Sequence, residues 1–365
     1  MVEYHLRKEL HKELHKGRGS GSNAQSRYLS LHTEAVDDGW YAAEEYTRVP
    51  TQVFADRTKK IISKNNSPDI PFSQSINPYK GCEHGCIYCF ARPTHAYLDL
   101  SPGLDFETKL FFKTNVRERL LDELGKAKYQ CSTLAIGTNT DPYQPLEKDK
   151  RVMREILQTL LELQHPVSIV TKSTLVLRDL DLLSDLAKSG LTHVYLSVTT
   201  LDNALKVKLE PRTAGPRARL RAIAALREAG VPVGAMVAPI IPFINDHEIE
   251  DLVEACASAG AQAIGYILIR LPLEVRPLFE EWLHNHYPLK AERVMAAIRD
   301  TRGGRAYAAQ WHRRMVGQGP IAELISQRFA GAKKKAGLED DKLAPLRTDR
   351  FLRPAAASDR QFNLF

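Results

Sequence analysis

Between residue 71 and about residue 270, short apolar runs alternate with stretches whose apolar residues recur at helical spacing. The runs predict strands over 72–78, 133–137, 167–171, 193–199, 233–238 and 263–269. The periodic stretches predict helices over 116–125, 152–163, 177–188, 217–229 and 248–259. Gly190, Gly230 and Gly260 stand just past three of these helices, where a chain leaves its last turn. Six β–α repeats with buried strands predict an α/β fold with a parallel sheet. Right-handed crossovers curl such a sheet into a barrel or partial barrel; a doubly wound open sheet is the alternative. In a barrel, function sits at the C-terminal ends of the strands.

The flanks carry weaker patterns. Residues 1–30 are basic and then Gly/Ser-rich, with no sustained apolar face, and are expected to be poorly ordered apart from a short charged helix over 6–14. His5, His11 and His15 belong to that solvated tail. Residues 37–41 read as a turn followed by packing aromatics, and 65–71 as a loop. Helical spacing returns over 277–283 and 292–299, and beyond Gly337 the chain turns Pro/Ala/Arg-rich. The organisation expected is therefore a tail and packing segment (1–70), a core (71–273), a helical basic extension (274–335) and a flexible tail (336–365).

Composition narrows the class. Hydrophobic residues are 43% of the 365, enough for a sizeable core. The most apolar stretch, 231–244, is interrupted by Pro232, Pro239 and Pro242, so it reads as a buried strand and loop, not a membrane span. The first ten residues have no apolar signal core, so a cytoplasmic location is expected. The formal charge is +7, and residues 290–335 hold eleven Lys or Arg against three acids. That excess suits nucleic acid or another polyanion, or a solvated helical face. Three of the five cysteines share one loop, so a disulfide framework is not expected; Cys131 and Cys256 read as core residues.

That loop, N-P-Y-K-G-C-E-H-G-C-I-Y-C-F over 77–90, carries the chemistry. Cys82, Cys86 and Cys89 stand at C-x3-C-x2-C spacing, which folds three thiolates toward one centre. Three thiolates leave one iron of a cubane cluster open to a small molecule. Gly81 and Gly85 let the backbone turn close to a bulky cluster, and Tyr88 and Phe90 are placed to shield it from water. A zinc site is the competing reading, with His84 or His95 as a fourth ligand.

The loop, with an aromatic just before its third cysteine, resembles that of the radical S-adenosylmethionine (radical SAM) enzymes. The resemblance implies a partial (β/α)6 TIM-like barrel with the cluster loop after the first strand, here followed by a helical C-terminal extension. It implies a [4Fe–4S] cluster on the three cysteines and S-adenosylmethionine on the open iron, cleaved reductively to a 5′-deoxyadenosyl radical. It also implies an electron donor of flavodoxin or ferredoxin type. The usual G-G-E type motif after strand two is absent. Asn139, Thr140 and Asp141 of G-T-N-T-D-P-Y-Q-P are its positional substitutes, and Asp141 can accept from an ammonium group or form an Asx turn before Pro142. Lys172, at the end of strand three, can pair with the methionine carboxylate or a substrate phosphate; Ser197, at the end of strand four, can bond the ribose or the backbone. Glu210 and Arg212 flank Pro211; the Arg suits bidentate capture of the methionine carboxylate, and a structural Glu–Arg pair is the other reading.

From about residue 75 to 328 the chain is similar to the subfamily related to spore photoproduct lyase, which repairs a thymine dimer in DNA by a radical route. The stretches V-T-K-S, S-V-T-T, L-E-P-R and A-P-I-I-P-F-I-N-D share in the likeness. Those lyases use a cysteine near the end of strand two as hydrogen donor; here Thr138 stands in that loop, and Cys131 lies at the strand's other end. The expected function is a radical SAM enzyme, acting on nucleic acid in lyase-like DNA lesion repair, or else modifying RNA, protein or a metabolite. A non-catalytic iron–sulfur protein that binds DNA or senses redox state is the reading from another class. The last five residues, Q-F-N-L-F (Gln361 to Phe365), resemble the peptides that dock on the bacterial DNA sliding clamp.

Overall fold

The computed structural model describes residues 15, 17–24, 26–28, 49–339 and 343–355. The charged helix expected over 6–14, His5 and His11, the turn at 37–41 and the clamp-like Gln361–Phe365 peptide lie outside them.

Six parallel strands form the core: β3 (Gln74–Ile76), β6 (Leu134–Ile136), β7 (Val167–Thr171), β8 (Thr192–Ser197), β9 (Val233–Ile240) and β10 (Ala263–Leu268). They neighbour one another in simple chain order, each parallel to the next, and β2 (Ile62–Lys64) adds an antiparallel edge to β3. A doubly wound sheet would reverse direction partway; this order does not, so the sheet is a partial (β/α)6 barrel that stays open between β10 and β3. The strands are shorter than their apolar runs at β3 and β6, because residues 77–78 and 137 already belong to the turns that leave the barrel.

Helices α1 (Val116–Gly125), α2 (Val152–Glu162), α3 (Leu180–Lys188), α4 (Pro216–Glu228) and α5 (Ile249–Ser258) connect the strands. Each buries one apolar stripe: Ile156, Leu157 and Leu160 of α2 are fully buried, and each such side chain stabilises the fold by about 1.5–3 kcal/mol. Three helices close as their glycines foretell, with Leu191, Val231 and Ala261 amides donating back to Leu186, Leu226 and Cys256 carbonyls at 2.9–3.0 Å. The C-terminal helices α6 (Val275–His286) and α7 (Ala291–Asp300) form a second apolar core with Ile87 and Tyr88 of the cysteine loop, around Phe279, Trp282 and Met295. Helix α8 (Pro320–Lys335) lies against α5, where Arg328 pairs with Glu250 at 2.6 Å. No helix among the described residues is long and apolar enough to cross a membrane.

Two features depart from the sequence reading. A second, three-stranded sheet joins β1 (Gln52–Asp56), β5 (Lys109–Lys113) and β4 (Tyr79–Lys80), so the chain entering the cysteine loop is itself a strand. Within the stretch expected to be poorly ordered, residues 17–24 form a strap with Ser20 buried, held against the cysteine loop. Polar composition concealed this because the strap is fixed by its backbone amides, not by apolar side chains.

Candidate active site

The cysteine loop starts at the end of β4 and is built from tight turns. Gly81 and Gly85 have φ of +77° and +67°. A Cβ on Gly81 would lie 2.7 Å from Leu110 Cδ2 and 2.9 Å from the Phe106 carbonyl; one on Gly85 would lie 2.7 Å from Glu107 Oε2. Both positions need glycine for conformation and for space. Cys82 N donates to Phe106 O (2.9 Å), Cys89 N to Cys86 O (3.2 Å) and Arg92 N to Cys89 O (3.2 Å), which winds the three thiols into one segment.

Arg92 is the loop's internal clamp. It is fully buried and donates to the carbonyls of Cys86 (3.0 Å), Gly85 (3.3 Å), Pro102 (3.1 Å) and Gly103 (3.0 Å), and to the Glu107 carboxylate. Glu107, also fully buried, accepts the amides of Gly19 and Ser20, each at 2.9 Å. Arg18 adds bonds to Glu107 O (2.8 Å) and Val49 O (2.7 Å). From the other side buried Gln144 accepts from Glu83 N (2.9 Å) and donates to Gly81 O (3.1 Å). Sequence reasoning missed Arg92, Glu107 and Gln144. Their signal is burial of a polar side chain among turns, which a single sequence does not display.

The donor set suits a multi-iron cluster. Cys82 and Cys86 are buried and Cys89 half-buried. Burial pushes all three thiols up, with Asp141 adding to the effect at Cys82 and Glu210 at Cys86. Two buried thiols and a half-buried one would need a cationic occupant to be held as thiolates. Among the described residues no three His, Cys, Asp or Glu side chains are placed to hold a single metal ion. Of the histidines considered for zinc, His84 Nδ1 lies 3.3 Å from Asp141 Oδ2, at ion-pair distance but off hydrogen-bond geometry, and His95 Nε2 lies 2.9 Å from Lys109 O, its Nδ1 without a hydrogen-bond partner among the described residues. Tyr88 is buried beside the cysteines, whereas Phe90 is 46% exposed.

The strand ends face this loop, and their side chains divide by use. Asn139 donates its backbone N–H to Asn77 Oδ1 (3.1 Å), and buried Thr140 donates to Tyr79 O (3.1 Å). Asp141 accepts from Thr171 Oγ1 (2.6 Å), Lys172 N (2.8 Å) and, as an Asx turn, Tyr143 N (2.9 Å). Burial opposes its charge, but His84 and these donors outweigh that and hold it at about 2. Asp141 thus ties β6 to β7 and to the cysteine loop. Lys172 sends its ammonium toward the loop, 6.0 Å from the Tyr88 ring centre. Ser197 is buried at the end of β8, its carbonyl taking Arg219 Nη1 at 2.9 Å.

Glu210 and Arg212 do not pair with each other. Glu210 is fully buried and accepts from Tyr88 Oη, Thr199 Oγ1 (2.7 Å) and Arg219 Nη2. Burial again opposes the charge, but Arg219, Lys172 and the two hydroxyls hold Glu210 at about 2. It therefore links the cysteine loop, β8 and α4. Arg212 instead reaches Glu83 in the loop (2.9 Å) and keeps 38% of its side chain exposed. Cys131 precedes β6 at the end away from these groups, so it is no hydrogen donor to them. The phenols of Tyr79 and Tyr143 bond Glu147 and Asp179, and Tyr97 is 70% exposed.

A family model described as "Radical SAM superfamily" matches residues 76–256. An uncharacterised protein of Mycobacterium tuberculosis is 37% identical over 296 residues, 80% of this chain and 83% of that one. The radical SAM Nalpha-GlyT isomerase of Pseudomonas phage M6 is 23% identical over 220 residues, 59% of this chain and 44% of that one. Among solved structures, a variant of spore photoproduct lyase with bound AdoMet and dinucleoside spore photoproduct superposes with a TM-score of 0.55, at 16% identity over 79% of each chain.

Proposed function

Because the chain belongs to the radical S-adenosylmethionine superfamily, we propose that it is an enzyme acting on nucleic acid, with lyase-like repair of damaged DNA as the leading reaction. The family's cofactors are a [4Fe–4S] cluster and S-adenosylmethionine. The observation that carries the reading is the buried three-cysteine loop, clamped by Arg92 and Gln144 at the C-terminal mouth of the barrel. When bound, the cluster and S-adenosylmethionine supply reductive cleavage to a 5′-deoxyadenosyl radical; an electron donor of flavodoxin or ferredoxin type is the proposed partner.

The chain's own residues bind and orient. Cys82, Cys86 and Cys89 would hold the cluster. Lys172 and Arg212 offer the cations for the methionine carboxylate, and Asn139 and Ser197 offer polar atoms for the amino group and ribose. Thr140, Asp141 and Glu210 are spent on protein partners and position that set. Tyr88 and the α6–α7 core keep water from the loop's inner side. Nucleic acid as substrate is supported by the basic extension and by the fold shared with a lyase that binds dinucleoside spore photoproduct.

The test supplies the anaerobic, reconstituted protein with S-adenosylmethionine, reductant and either UV-irradiated DNA, intact DNA, RNA or nothing. Lesion loss measured by mass spectrometry, with 5′-deoxyadenosine formation stimulated by irradiated DNA, is expected. Equal 5′-deoxyadenosine in every arm, with every nucleic acid unchanged, overturns the nucleic-acid reading.

A further inference from the structure

Beyond the cofactor groups, the barrel mouth carries a cation without an acid. Arg270 follows β10, the last strand, at the side where the partial barrel stays open. Its guanidinium lies 5.3 Å from the ring centre of Phe90, the residue after Cys89, and 6.0 Å from that of Tyr307. Among the described residues its terminal nitrogens meet only Met315 Sδ (3.6 Å) and the Tyr307 hydroxyl (3.4 Å), both uncharged, and its Nε is buried with no partner. Neither contact neutralises the charge.

A second guanidinium sits behind it. Arg302 bonds the carbonyls of Leu268, Ile269, Arg313 and Arg314, fixing the end of β10. Burial, and then Arg270 beside it, push Arg302 down to about 10. Among the described residues these two neighbouring cations are served only by neutral groups, with no acid paired to either. Phe90, flanking the first of them, offers an aromatic surface beside the cysteine loop. Elsewhere among the described residues Arg27, whose charge is already paired with Glu274, lies 4.7 Å from the Tyr28 ring and 5.3 Å from the Tyr97 ring, a second cation–aromatic platform. A lone nucleoside needs one such platform; successive platforms suit successive nucleotides.

We infer that Arg270 anchors a backbone phosphate of a single-stranded segment of nucleic acid at the open side of the barrel, and that the base beside that phosphate stacks on Phe90. The inference rests on the nucleic-acid reading above and names the form of substrate it takes. A duplex would have to open locally to present that strand, as for other enzymes that act on a base.

The experiment measures binding of the cluster-loaded full-length protein to a fluorescent oligothymidylate across a salt series. Wild type is compared with Arg270→Gln, Arg270→Lys and Phe90→Leu, each matched for iron content. Arg270→Gln is expected to weaken binding about tenfold or more and to reduce the slope of log affinity against log salt by about 0.7. Arg270→Lys is expected to keep the slope, and Phe90→Leu to lose about fivefold or more with the slope unchanged. A neutral methylphosphonate at each linkage in turn makes the same cut in the ligand with unaltered protein, and one linkage is expected to match the Arg270→Gln loss. Tight wild-type binding with all variants and all linkages equivalent overturns this inference while leaving the nucleic-acid reading intact. No wild-type binding to single- or double-stranded DNA or RNA overturns both.

Discussion

Gly19 packs directly on Gly85: a Cβ built at Gly19 would land inside the Gly85 carbonyl, in the middle of the cysteine loop. The neighbouring amides of Gly19 and Ser20 are bound to Glu107, which also holds Arg92. A strap near the N-terminus is thus part of the cysteine loop's housing. Gly19→Ala forces the strap off the loop at a cost of about 1–3 kcal/mol or more. Iron and acid-labile sulfide per chain after anaerobic reconstitution should fall clearly below wild type. Gly331→Ala, in a helix with nothing within 4 Å of the new Cβ, should leave both unchanged. Full cluster loading in Gly19→Ala would show that the strap is dispensable.

Glu210 and Arg212 stand two residues apart and should fail differently. Glu210→Gln leaves Arg219 buried without its counter-charge, at a cost of about 3–5 kcal/mol in urea unfolding. Arg212→Gln removes a partly exposed pair worth about 0–1 kcal/mol. Yet it should weaken S-adenosylmethionine binding about tenfold or more, the order expected of a charge-assisted hydrogen bond. Calorimetric titration of the cluster-loaded variants separates the two. Unchanged S-adenosylmethionine affinity in Arg212→Gln would remove Arg212 from the cofactor site.

Acid sensitivity is built in far from the mouth. His165 is fully buried, with Nε2 facing the Tyr129 hydroxyl (2.8 Å) and Nδ1 the Pro166 carbonyl (3.0 Å); burial depresses it to about 4. Burial depresses His193, bonded to Ser168 at 2.7 Å, to about 4 as well. The unfolded chain takes up these protons first, near pH 6.5. The stability each neutral ring confers is therefore complete above that pH and is lost as pH falls toward 4. Between pH 7 and 5 each should cost about 2 kcal/mol. In His165→Gln the fall in thermal midpoint over that interval should be smaller by several degrees. An equal fall in wild type and variant would show that His165 is not held neutral by the fold.

The six barrel strands and the cysteine loop were legible because each is a local pattern: apolar runs bounded by glycine, and thiols at fixed spacing. The helix-ending glycines were legible for the same reason. What stayed hidden depends on partners distant in sequence. Glu107 looks like any surface acid until Arg92 and the amides of Gly19 and Ser20 close around it. The spacing of Glu210 and Arg212 left a mutual pair open beside a cofactor-binding arginine; the turn after Pro211 rules out the pair, sending one to Arg219 and the other to Glu83. Asp141 allowed two readings from sequence; the structure shows the Asx turn, and also the bonds to Thr171 and Lys172 that no local rule supplies. β1 pairs with β5, whose residues begin more than fifty positions later, and no short-range signal marks that sheet.

The central claim is that the loop of Cys82, Cys86 and Cys89 makes this chain a radical SAM enzyme. The most direct measurement is 5′-deoxyadenosine formed from S-adenosylmethionine by the anaerobically reconstituted, reduced protein, with and without nucleic acid, beside Cys86→Ala. The account predicts product from the wild type, dependent on reductant, and none from Cys86→Ala. A wild-type protein that holds a reduced cluster and yields no 5′-deoxyadenosine with any nucleic acid, or without one, would contradict it.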